Sequence, residues 1–125
     1  MSRLIAAALL AALTTQPASA EQTGYAARYR PGLMERAAEI HGVRVPAGRE
    51  LCASPTQPLG TLLTVTSRIS GHVWRCVVSD VAHPRDRAHI LRRGIVIELP
   101  PAGALHLCAS IVDPPRQCPV IVSRG

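Results

Sequence analysis

Branched apolar residues concentrate in two runs, TLLTVTS over 61–67 and VWRCVVSDV over 73–81, with Ser70-Gly71 between them. Such runs flanking a turn pair predict a β-hairpin. Along its second arm the period of two puts Trp74, Cys76, Val78 and Asp80 on one face. Asp80 then ends a row of otherwise apolar side chains, at the rim of a core. GIVIELP, apolar on both faces apart from Glu98, predicts another strand, and CPVIVS predicts the last one. ELCASP and YAARY are shorter candidates upstream. Helical spacing appears in LMERAAEIHG, where Leu33, Ala37, Ile40 and His41 share a face and Gly42 supplies a left-handed stop. PPAGALHLC, with prolines in its first turn, predicts a second short helix. PAGRE, AHPRD and DPPRQ are read as loops. Five or six short strands with two brief helices suit a small closed barrel, because closure leaves no strand edge exposed.

The first 20 residues change the picture of where this barrel works. An early Arg3, an apolar run from Leu4 to Leu13 and the triplet Ala18-Ser19-Ala20 before Glu21 read as a secretory signal peptide cleaved after Ala20. The run is shorter than the roughly 20 residues a bilayer span requires. Residues 21–125 are expected to form one domain in the periplasm or outside the cell, with no stable membrane insertion, and to act as a monomer. Cys52, Cys76, Cys108 and Cys118 all fall in the exported part, where an even count signals disulfides. Four cysteines allow three pairings. Cys52 with Cys76 and Cys108 with Cys118 each close a local loop, and this pairing is expected. The spacing matches no zinc pattern, and neither metal nor cofactor is expected.

Charge narrows the partners. Every basic side chain is an arginine, and removing Arg3 with the leader leaves 13 arginines against 8 acids, a net charge of +5. That balance favours anionic surroundings such as envelope polymers or phospholipid headgroups. With one Trp, two Tyr and no Phe, stacking platforms for nucleic acid are scarce, and nucleic acid is not an expected partner.

Four segments, in order, resemble the double-psi β-barrel domain of rare lipoprotein A-like proteins, related to the barwin and expansin barrels. YAARY resembles that family's opening Ala-Ser-Trp-Tyr strand, and CASPTQPLGTLLTV its Ala-Ala-His…Leu-Pro-Leu-Gly-Thr-x-Val-x-Val segment. CVVSDVAHP resembles its Val-Asn-Asp-Arg-Gly-Pro, and VIELPPAGALHL its Ile-Asp-Leu-Ser-x-Ala-Ala. Together they span Tyr25 to Val122. The resemblance implies a mainly β fold, a six-stranded double-psi barrel with two short helices, working at the cell wall. Some such proteins are lytic transglycosylases that cut peptidoglycan, and others only bind or loosen polysaccharide. It also implies an acid/base role for the aspartate matched by Asp80, aided by a histidine whose matching position here is Ser54. The histidine is therefore missing, and a non-catalytic module that kept the fold stands as the alternative.

The candidate site residues follow from this frame. Asp80 could donate the proton that a glycosidic leaving oxygen needs, or cap the AHPRD loop. His83, three residues on, could stand in for the missing histidine, or be a solvated loop residue. Glu98 could be the second carboxylate of a retaining or inverting glycosidase, whereas the resemblance implies a structural or substrate-positioning residue there. Arg85, Arg87, Arg92 and Arg93 form the densest positive segment. They could grip carboxylates of peptidoglycan or another envelope polysaccharide, or simply be solvated. Trp74 and Tyr29 could stack on sugars, although a lone Trp on an alternating strand is usually core. His41 reads as the partly buried end of its helix or as a base.

Overall fold

The computed structural model of the chain describes residues 21–108 and 118–125. The segment read as a signal peptide and the DPPRQ segment lie outside them. Six strands, β1 (Gln22–Arg28), β2 (Glu50–Ser54), β3 (Leu62–Ser67), β4 (Val73–Val81), β5 (Ile95–Leu99) and β6 (Pro119–Arg124), close into a barrel in the order β1-β5-β2-β4-β3-β6. Among the described residues three helices decorate it: α1 (Leu33–His41), α2 (Pro84–Arg92) and α3 (Pro101–Cys108). Two strand pairs, β1 with β5 and β2 with β4, are parallel, and the others are antiparallel. This mixed closed barrel is compatible with a double-psi topology. The expected hairpin is present as β3 and β4, with Val65 opposite Trp74 and Leu63 opposite Cys76.

Alternation fills the interior from β3 and β6, while β5 is buried on both faces. Leu63 and Val65 from β3, Ile97 and Leu99 from β5, and Val120 and Val122 from β6 are buried in one core cluster, which Leu107 of α3 closes. Each such aliphatic side chain removed from water contributes about 1.5–3 kcal/mol before chain entropy is counted. Cys52 and Cys76 are bonded to each other within this core, and Cys108 and Cys118 tie α3 to the start of β6. Both bridges follow the local pairing expected from spacing. Such bonds belong to oxidising compartments, and among the described residues no helix is long and apolar enough to cross a membrane.

The helices depart from the sequence expectation in two ways. Among the described residues the count is three, because the segment read as a charged loop after His83 is helical from Pro84 to Arg92. Pro84 occupies the first turn, where its missing N–H is not needed, and the His83 ring accepts a hydrogen bond from the Arg85 N–H at 3.3 Å. None of its nine residues is buried, so no apolar stripe announced it. On α1 the buried positions are Met34, Ala37 and Ala38, while Leu33 and Ile40 stay 42% and 73% exposed. The stripe facing the barrel is thus rotated from the one assigned by spacing, and the rotated-out residues matter for the site. Gly42 ends α1 in the left-handed region at φ 65°, as its sequence position suggested.

Candidate functional site

Strands β2 and β4 run side by side as Glu50 with Cys76, Leu51 with Val77, and Cys52 with Val78, after which Ala53 pairs with Asp80. Ser79 is the extra residue of a β-bulge. It is fully buried, and its hydroxyl donates to the Cys52 carbonyl at 3.3 Å, so the insertion leaves no polar atom stranded. One inserted residue reverses the phase of everything beyond it. Asp80 therefore leaves the row of Trp74, Cys76 and Val78 and lies beside Ala53, opposite in facing to the core-directed Cys52. The expectation that Asp80 ends that apolar row is corrected by this bulge.

On its new face Asp80 meets two elements distant in sequence. Tyr29, just beyond β1, is fixed by its own N–H donating to the Leu99 carbonyl at 2.7 Å, and its phenol donates to Asp80 Oδ2. The other carboxylate oxygen, Oδ1, accepts the Val81 N–H at 3.0 Å. His41, the last residue of α1, places Nδ1 3.9 Å from Oδ1 and 3.1 Å from the Ser79 carbonyl. A carbonyl only accepts, so the latter contact is a hydrogen bond when Nδ1 carries the proton.

Glu98 joins the group through the sheet. Ala53 pairs with Asp80 on one side and with Glu98 on the other, so one small residue separates two carboxylates across three strands. Adjacent strands are about 4.8 Å apart, which sets the two backbones roughly 10 Å apart. Burial raises the Glu98 pKa, and the nearby Asp80 charge raises it further. Burial also raises Tyr29, with added contributions from its hydrogen bond to Asp80 and from the charges of Asp80 and Glu98. Tyr29 thus stays a neutral phenol and a hydrogen-bond donor at physiological pH. Glu98 holds its proton to higher pH than an exposed glutamate.

The side chains of Tyr29, Arg36, His41 and Asp80 line a cleft of about 370 Å³, whose apolar wall is Leu33, Ala37 and Ile40. Asp80 is partly accessible here, at 22% side-chain exposure. A carboxyl group open to a cleft, with a phenol and an imidazole against it, can give and take a proton at a bound ligand. Among the described residues no three His, Cys, Asp or Glu side chains gather as a metal site.

The residues singled out from sequence divide clearly by place. Asp80 is in the cleft, and Glu98 senses it electrostatically from β5 without lining it. His83 is exposed at the start of α2 with Nδ1 engaged as a cap. Arg85, Arg87 and Arg92 are carried on α2, which packs on β5, and none lines the cleft. Sequence reasoning gave no role to Arg36, and it did not join Tyr29 and His41 to Asp80. The only local signal was that Leu33, Arg36 and Ile40 share a helix face at i, i+3 and i+7. Ser54 has its own employment: 1% exposed, its Oγ accepts the N–H groups of Thr56 at 3.1 Å and Gln57 at 2.8 Å.

No protein-family model matches this chain, and no curated protein matches it.

Proposed function

We propose that the protein is an exported cell-wall protein that binds peptidoglycan glycan in the Asp80 cleft and cleaves it as a lytic transglycosylase. The observation that carries this reading is the Asp80 carboxyl, open to a cleft and held by Tyr29 with His41 beside it. In the cleavage, the Asp80 carboxylate takes the proton of the C6 hydroxyl of the muramyl sugar as that oxygen closes on C1. The bond from C1 to the glycosidic oxygen breaks, and Asp80 passes the proton to that oxygen, which leaves as a hydroxyl. The product is a 1,6-anhydro ring, and no water is consumed, so one acid/base group is sufficient. Tyr29 fixes the carboxyl, and His41, at 3.9 Å, supplies the imidazole that the resemblance places elsewhere. The excess of arginine over acids favours an anionic polymer, and the two disulfides suit an exported protein.

One observation favours the second reading, a binding module without chemistry. Ser54 stands where the resembled enzymes carry histidine, and it is buried in a turn rather than facing the cleft. Incubating the purified protein with peptidoglycan sacculi, beside an Asp80→Asn variant, separates the two. Anhydromuramyl products by mass spectrometry, absent with the variant, are the expected result. Intact glycan with protein pelleting alongside it leaves the binding module, and no pelleting sinks both.

A further inference from the structure

The far end of β4 carries a second cleft, of about 340 Å³, lined by Gly48, Glu50, Val73, Trp74, Arg75 and His106. Six residues of strand put it roughly 20 Å from Asp80, and the two clefts share no lining residue. Its aromatic walls are held rigidly from behind. The Trp74 indole N–H donates to the Leu51 carbonyl at 3.1 Å. Gly103 of α3 packs so close to the ring that a Cβ there would lie 3.0 Å from Trp74 Cε2. His106 donates from Nε2 to the Val73 carbonyl at 3.1 Å, and His72 stacks on it at 5.2 Å between ring centroids and 23° between planes. The Trp74 and His106 rings meet at 6.2 Å and 47°, a fixed aromatic corner.

Two charged side chains face this corner. Glu50 and Arg75 are both exposed, and among the described residues neither forms an ion pair. A carboxylate only accepts hydrogen bonds and a guanidinium only donates them. A ligand that satisfies both and also covers an aromatic face has neighbouring hydroxyls, each donor and acceptor, beside a face of C–H groups. That is the chemistry of a pyranose ring. A zwitterion would meet the two charges but leave the aromatic corner without a partner. The volume lies within the usual range for small-ligand sites, and rings locked in advance lose little freedom on binding.

We propose that the cleft of Trp74, His106, Glu50 and Arg75 is a second saccharide-binding site, separate from the Asp80 cleft. Trp74 is the sole tryptophan of the chain, so its emission reports on this site alone. The test titrates the full chain, disulfides intact, with chitotetraose, cellotetraose and glycylglycine, following Trp74 emission. A saturable response to at least one of the saccharides is expected, weakened tenfold or more in Glu50→Gln and in Arg75→Ala and unchanged in Asp80→Asn. Both substituted positions are exposed, and circular dichroism verifies that the variants are folded. Absence of an emission change with both saccharides overturns the proposal. So does a response to glycylglycine alone, an affinity unaltered in both variants, or binding lost in Asp80→Asn.

Discussion

Replacing Ser54 by Ala asks whether this residue marks lost chemistry or is needed by the fold. Its Oγ accepts two backbone N–H groups, from Thr56 and Gln57, in a position only 1% exposed. Each hydrogen bond contributes about 0.5–1.5 kcal/mol net, and a donor left buried without a partner costs about 1–3 kcal/mol. Thr56 is exposed and its N–H can regain water, whereas Gln57 is half-buried and recovers less. Together these terms give a loss of about 2 kcal/mol. For a domain of this size, 1 kcal/mol moves the melting temperature by roughly 4–8 °C, so a fall of about 8–16 °C is expected. Thermal unfolding followed by circular dichroism measures it, and the urea midpoint should fall with an unchanged slope. A loss below about 0.5 kcal/mol would refute the reasoning, because the hydroxyl would then be dispensable to the turn. Pelleting with sacculi, measured well below the lowered melting point, should be unaffected, since Ser54 does not line the cleft.

Two further outcomes are expected. Glu98 is raised in the folded state by burial and by Asp80, so its contribution to stability is full below the unfolded value of about 4.3 and is lost as pH rises through the raised folded value. Glu98→Gln should therefore gain stability relative to the parent between acid and neutral pH, as read by denaturant midpoints across that range, and a pH-independent difference would count against the assignment. Gly103→Ala brings a Cβ to 3.0 Å from a Trp74 ring that is hydrogen-bonded and packed against the core, so overpacking of about 1–3 kcal/mol outweighs the roughly 1 kcal/mol gained in helix propensity. A lower melting temperature with altered Trp74 emission is expected; a rise in stability would show that the ring yields.

Local signals in the sequence were sufficient for most of the scaffold. Branched residues around a turn gave the β3–β4 hairpin, a run apolar on both faces gave β5, Gly42 marked the end of α1, and loop closure selected both disulfides among three pairings. These features depend on neighbours a few residues apart, or on the limited ways four cysteines can pair. Helix α2 was also marked locally, by His83 as cap and Pro84 in its first turn, but its arginines read as a solvated loop because it buries no residue.

The site was decided by contacts between distant segments. Asp80 and Tyr29 are 51 residues apart, and His41 reaches the Ser79 carbonyl across 38. No periodicity within one segment encodes how α1 lies over β4, which is settled only when Met34, Ala37 and Ala38 find the barrel surface. The face that Asp80 presents was beyond reach for a similar reason. A period of two extends a strand indefinitely, whereas the bulge at Ser79 exists only in the register of β4 against β2, and that register reverses the last residues of the strand. The sequence by itself determined which residues could form a barrel and which carboxyl would end its strand. Packing of β2, β4 and α1 decided that this carboxyl turns away from the core toward a phenol and an imidazole.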